Sequence, residues 1–244
     1  MKLVRSEHVD GTAVITLADT RRRNAISLQL ADQFTAVLAA AQADPAVRAI
    51  VITGEEPAFC AGADREALRQ ADEATLRRIY EVFVRVRDCP LPTVAAVNGP
   101  AVGAGFNLAL ACDVRLAGHS AVFDSRFLSI PIHPGGGHTW MLARLVGPQA
   151  SAAMTLFGEA VGGARAAEIG LAWRCVPDAE LVQASVGFCR AVAAAPARLV
   201  REIKETLRVA PGLAGHGTAS EYELGRQVAS VGRPEYRERV GGTR

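Results

Sequence analysis

Residues 2–8 and 12–17 are short runs of β type that meet at Asp10-Gly11, which predicts a hairpin. Ser27 has the chemistry of a helix N-cap, and Leu28, Phe34, Val37, Leu38 and Ala41 follow as an apolar stripe at helical spacing that stops at Asp44-Pro45. Residues 47–53, VRAIVIT, read as a buried strand, and the small-residue stretch FCAGAD (59–64) as a loop beyond it. Two helical stretches run up to Asp88 and end at Cys89-Pro-Leu-Pro. Residues 93–97 predict another buried strand, 103–111 a helix and 113–117 a further strand. After Val122-Phe123 the pattern changes. Residues 137–157 and 178–230 read as largely helical, broken by Gly and Pro, and the terminal VGGTR as loose.

Strands that alternate with helices predict an α/β fold, with helices packed on a mostly parallel sheet. The 244 residues fit one large domain, and half of them are hydrophobic, enough for a substantial core. A net charge of only +2 argues against non-specific binding of nucleic acid. Lysine occurs twice, as Lys2 and Lys204, and all other bases are arginine. Arginine suits phosphate binding, but a GC-rich genome gives the same bias. The five cysteines are widely spaced without a C-x-x-C pair, which fits a reduced protein and predicts neither a disulfide framework nor a metal site. The first residues lack the apolar stretch of a signal peptide, and no segment has the length of a membrane span. A soluble, cytoplasmic protein is expected.

Candidate chemistry sits where strands give way to helices. The junctions at 59–64 and at 99–105 are crowded with small residues, and ligands in parallel α/β sheets bind beyond the carboxyl ends of strands. A helix start there offers unpaired N–H groups, and two such junctions side by side could aim two donors at one oxygen. Close strand–helix packing would require the same small residues. No Walker motif is present, and Gly103-x-Gly105 lacks the rest of a dinucleotide fingerprint.

The motifs in their order resemble those of the crotonase superfamily, the enoyl-CoA hydratases and isomerases. They are Arg23-Asn24-Ala25, then 59–64, then NGPAVGAG (98–105) with Leu108-Ala109 and Cys112-Asp113. Phe123, Pro134-Gly135-Gly136, Leu145-Val146-Gly147 and AAEIGL (166–171) follow, so the resemblance covers residues from about 3 to about 240. It implies a spiral of ββα turns with a helical C-terminal region, divided here as 1–190 and 191–244. It implies an acyl-CoA thioester as substrate, whose carbonyl oxygen lies between the N–H groups of Ala63 and Ala104. Arg22 and Arg23 would approach the coenzyme phosphates. Ala25, Ala61, Asp64 and Arg65 would line the coenzyme path, with Asp64 also capping its helix. Coenzyme A would enter as part of the substrate, with no permanently bound cofactor and no metal. A homotrimer or a dimer of trimers is the implied assembly, with no nucleic-acid or membrane partner.

The chain departs from the hydratase pattern at two positions. Hydratases of this family use two glutamates, and the matching residues here are Asn107 and Phe127, both expected at the substrate pocket. Neither side chain exchanges a proton near neutral pH. Isomerase- or hydrolase-like chemistry is therefore expected rather than standard hydration. The alternative is a non-catalytic protein that binds fatty acyl-CoA. For a relocated acid or base, His133 in the 130–137 loop is the leading candidate, ahead of His138, which enters the next helix. Glu66 and Glu81 are further candidates, although helix glutamates are usually solvated. Arg126 is expected to pair with an acid, Asp124 is undecided, and Phe127 suggests an apolar acyl pocket.

Overall fold

The Asp10-Gly11 turn joins β1 (Val4–Val9) to β2 (Thr12–Leu17), antiparallel with Val4 opposite Leu17. Asp10 (φ 48°) and Gly11 (φ 74°) both take left-handed conformations, as a tight hairpin of this hand requires. The computed structural model describes residues 2–69 and 71–241. Ser27 caps α1 (Leu28–Ala43), its hydroxyl accepting from Leu30 N at 3.1 Å. Leu30, Phe34, Leu38 and Ala41 of that helix are buried.

β3 (Ala49–Gly54) is buried at all six positions and lies parallel to β2. Two helices follow, α2 (Arg65–Arg69) and α3 (Glu73–Arg87). Asp72 caps α3 by accepting from Thr75 N at 2.8 Å, and the buried stripe Ile79, Val82, Phe83 and Val86 faces the core. β4 (Thr93–Val97) continues the sheet. Next come β5 (Pro100–Val102), α4 (Ala104–Ala111), β6 (Val114–Gly118) and β7 (Val122–Asp124).

α5 (His138–Leu156) bends at Gly147 (φ 79°, ψ 171°), immediately before Pro148. Proline has no N–H for the helical ladder and clashes with the preceding turn, so the residue ahead of it leaves helical geometry. The chain closes with β8 (Val161–Gly162), α6 (Gly163–Glu168), β9 (Arg174–Val176), α7 (Leu181–Phe188), α8 (Arg190–Ala194), α9 (Ala197–Val209), α10 (His216–Val231) and α11 (Pro234–Gly241). Of the VGGTR end, Val240 and Gly241 finish α11, and 242–244 lie outside the described residues.

The main sheet has the order β1-β2-β3-β4-β6-β9, parallel in every pairing after the hairpin, and β5-β7-β8 form a second, smaller sheet. Alternation along the strands fills two cores. Ile15, Ile50, Ile52, Ala95 and Val97 pack with Phe34 and Phe83, whereas Val14, Val51, Val94, Ala96 and Leu116 pack with Leu181 and Val186 of α7. Helices cover both faces, which is why these strands read as unbroken apolar runs.

The C-terminal helices are tied to this sheet by a charge. Lys204 of α9 is buried, and its Nζ donates to Leu91 O at 2.7 Å and to Asp113 Oδ2 at 2.6 Å. Asp113 also accepts from the N–H and hydroxyl of Thr93. The buried ammonium thus has a carbonyl and a carboxylate as partners, while Asp113 itself reaches the surface.

Candidate active site

The two small-residue junctions meet backbone to backbone. Cys60 and Ala101 form a short parallel bridge, with Cys60 N donating to Pro100 O at 3.1 Å and Val102 N to Cys60 O at 3.0 Å. A Cβ on Gly105 would stand 2.2 Å from Cys60 O. One on Gly62 (φ 99°) would stand 2.8 Å from Val102 O and 3.9 Å from Ala104 N. Contact between main chains accounts for these two glycines without a ligand.

A second bridge joins Ile26 to Ala63. Its bonds run from Ile26 N to Gly62 O and from Asp64 N to Ile26 O, so the N–H of Ala63 lies outside the ladder. Ala104 is the first residue of α4, and the first donor of that helix is Asn107 N, bonded to Gly103 O at 2.9 Å. The Ala104 N–H is thus one of the unpaired donors of a helix start. Ala63 and Ala104 thus each carry a backbone N–H outside the local ladders, and Gly62, next to Ala63, lies against the Ala104 end of α4.

The remaining predicted binding residues gather along the same seam. Arg22 pairs with Asp19 and Asp64, at 3.4 Å each, and stays half exposed. Arg23 (φ 53°) is exposed, and its carbonyl accepts from Ala61 N at 3.0 Å. Ala25 is buried next to the bridge. Asp64 caps α2 through its Oδ1, which accepts from Glu66 N at 3.0 Å, and Arg65 opens that helix at the surface.

Asn107 lies one turn along α4 from Ala104 and is 1% exposed. Its Nδ2 donates to Gly135 O at 3.0 Å, which turns Oδ1 toward His138 Nδ1 at 2.7 Å. Nδ1 must then carry the proton, since Oδ1 can only accept. In the neutral ring this leaves Nε2 as an acceptor, and the hydroxyl of Ser125 lies 2.9 Å from it. His138 and Ser125 are 1% and 2% exposed. The ring stands edge-on between Phe106 and Phe127, with centroids at 5.2 and 4.9 Å. Burial pushes its pKa down to about 4, so the imidazole is neutral at physiological pH.

His133 sits apart from this network. It is exposed, and its ring bonds the carbonyl of the next residue, Pro134, at 2.8 Å. The structure therefore brings His138, not His133, to Asn107 and Phe127. Glu66 and Glu81 are at the surface, facing Arg69 and Arg85. Asp124 pairs with Arg126. Burial pushes the thiols of Cys60 and Cys112 up to about 12, which keeps them protonated. Ser125 was not among the residues the sequence singled out. Its signal is parity, since Phe123 and Ser125 are two apart and both buried.

A cavity of about 230 Å³ opens beside this group, lined by Phe83, Val84, Arg87, Gly136, Gly137, Trp140 and Met141. Gly136 joins it to the site, for a Cβ there would stand 3.1 Å from Asn107 Nδ2. A larger groove of about 780 Å³ runs between Arg48 and the C-terminal helices and shares no residue with the site. Arg48 lies at the amino end of β3, opposite the end where ligands of parallel sheets bind. Among the described residues, no cluster of three His, Cys, Asp or Glu is placed to hold a metal ion.

Residues 7–224 match the family model described as enoyl-CoA hydratase/isomerase. A probable enoyl-CoA hydratase of Mycobacterium tuberculosis is 46% identical over 237 residues, covering 93% of this chain and 92% of that protein. A 1,2-epoxyphenylacetyl-CoA isomerase of Escherichia coli is 30% identical over 219 residues, covering 86% of this chain and 83% of the isomerase. The crystal structure of an enoyl-CoA hydratase from Bacillus anthracis superposes with a TM-score of 0.91 at 27% identity, covering 98% of this chain and 95% of that one. The α/β architecture is thus the crotonase fold expected from the motifs.

Proposed function

The chain belongs to the enoyl-CoA hydratase/isomerase family, and on that premise we propose an isomerase- or hydrolase-like enzyme of CoA thioesters rather than a standard hydratase. The thioester oxygen lies between the N–H groups of Ala63 and Ala104, which stabilise it as it takes on charge. One such donor contributes about 2.7–4 kcal/mol to lowering a barrier. Arg22 and Arg23 face the coenzyme phosphates, and coenzyme A arrives only as part of the substrate. The cavity beside Asn107 takes an apolar acyl group, consistent with its Phe83, Trp140 and Met141 lining.

A single observation carries the choice of reaction. Asn107 and Phe127 both contact His138, and neither can pass a proton to or from water. Hydration needs a group on each side of the added water, whereas isomerisation or hydrolysis can proceed with one.

The test is incubation of the purified protein with 2-enoyl-, 3-enoyl-, 3-hydroxyacyl- and saturated acyl-CoAs, read by chromatography and mass spectrometry. Double-bond migration or release of free coenzyme A supports the reading. No change in any thioester would instead favour a protein that binds acyl-CoA without turning it over.

A cytoplasmic homotrimer or dimer of trimers completes the reading. Leu207, Leu224 and Val228 on α9 and α10 are exposed apolar residues suited to contacts between copies, and light scattering on the purified chain measures the assembly. No helix among the described residues is long and apolar enough to cross a membrane.

A further inference from the structure

Ser125, His138 and Asn107 form one directed chain of hydrogen bonds. Each is almost wholly buried, and each polar atom's role is fixed by its neighbour. The Asn107 amide holds the imidazole in the tautomer whose Nε2 receives from a hydroxyl. This is the order of parts in an activated serine: nucleophile, base and orienting group.

The place of Ser125 gives this order a use. The residue follows β7, whose last carbonyl, that of Asp124, accepts from Gly103 N at 2.9 Å. Gly103 immediately precedes Ala104. It takes φ 50° and ψ −111°, a conformation open in practice only to glycine. A Cβ built on it would meet nothing within 4 Å except the Ser125 carbonyl, at 3.8 Å. The main chain of Ser125 therefore borders the glycine turn that leads into the helix start carrying the Ala104 donor.

We propose that Ser125 is an acyl-accepting nucleophile, with His138 as its base and Asn107 as the residue that positions that base, so that the protein hydrolyses acyl-CoA thioesters through an acyl-serine. This rests on the reading of Ala63 and Ala104 as donors to a thioester oxygen. In the first step, Ser125 Oγ bonds to the thioester carbonyl carbon as its proton passes to His138 Nε2. The carbonyl oxygen takes the charge, facing the two N–H groups. The C–S bond then breaks, and the His138 proton goes to the coenzyme A sulfur. Water next attacks the ester carbon and gives a proton to His138. The bond to Ser125 Oγ breaks, the serine takes that proton back, and a carboxylic acid leaves. One thioester and one water yield one acid and one thiol.

A structural role for the same three residues would satisfy buried polar atoms without making the hydroxyl reactive, so the test reads reactivity. The wild-type protein is treated with a short alkyl fluorophosphonate, digested and mapped by mass spectrometry. Covalent label on Ser125, absent from the Ser125→Ala protein at equal thermal stability, is the expected result. The same pair is assayed for free thiol released from acyl-CoAs, where Ser125→Ala should lose at least about a hundredfold in rate. An unlabelled Ser125 in the wild-type protein overturns the proposal. So does thiol release that survives undiminished in Ser125→Ala. That last outcome would leave the broader CoA-thioester function standing, whereas label on Ser125 reports the nucleophile whichever thioester is the substrate.

Discussion

His138 Nδ1 lies 2.7 Å from Asn107 Oδ1, across 31 positions of sequence. An amide at position 107 cannot take up a proton, but it fixes where the protons of its neighbour sit. Asn107, held by its own bond to Gly135 O, orients the histidine. That contact ties the local chemistry of α4 to the reaction the site can perform.

Ala104→Pro removes one of the two proposed oxyanion donors while keeping a residue that suits the first position of a helix. Turnover should fall by about 10²–10³-fold in kcat, the cost of one lost donor. Circular dichroism and thermal unfolding should change little. A variant with unimpaired kcat would show that the Ala104 N–H does not face developing charge.

The neutral state of His138 couples stability to pH. The unfolded chain binds this proton near pH 6.5, and the folded chain resists it until about pH 4. The unfolded state thus holds more protons in that window, so stability is full above pH 6.5 and declines as the pH falls toward 4. The total is on the order of 3 kcal/mol. Urea unfolding of wild type and His138→Gln at pH 7.5 and at pH 5 measures it, and the variant should show the flatter dependence.

Gly105 and Gly225 should respond in opposite directions to alanine. At Gly105 the new methyl would stand 2.2 Å from Cys60 O and 2.7 Å from Cys60 Cβ, so backbone must move, at about 3 kcal/mol or more. Gly225, within α10, meets nothing within 4 Å, and alanine there should add about 0.5–1 kcal/mol. Midpoints of chemical unfolding compare the two.

Thiol alkylation in the native state should single out Cys175. It is half-buried, whereas Cys60, Cys89, Cys112 and Cys189 are buried, and burial pushes three of these up to about 12, 12 and 11 in the order Cys60, Cys112, Cys189. Iodoacetamide at pH 8, followed by peptide mapping, should mark Cys175 first and the other four only after denaturation.

Local signals made much of the fold legible. The Ser27 cap, the stripe of α1 and the apolar runs of β3 and β4 are written within a few consecutive residues, and each forms where its pattern places it. The strands β5, β7, β8 and β9 have three residues or fewer, too short to show alternation, and their pairings join distant segments. The site divides in the same way. Small residues mark the two strand–helix junctions locally, but only the resemblance to a family points to residues 63 and 104 within them. The choice between His133 and His138 has no local mark, because it depends on which ring α5 carries back to α4. Ser125 escaped notice because a serine beside an acidic and a basic residue looks like a turn until its partner is known.

The most direct measurement uses water enriched in heavy oxygen. The protein is incubated in it with saturated and 2-enoyl-CoAs, and the thioesters and free acids are weighed by mass spectrometry. Heavy oxygen in the liberated carboxylic acid, with none in the thioester pool, is the expected result. Heavy oxygen in a 3-hydroxyacyl-CoA formed from the 2-enoyl substrate would contradict it, since Asn107 and Phe127 would then stand in a working hydratase.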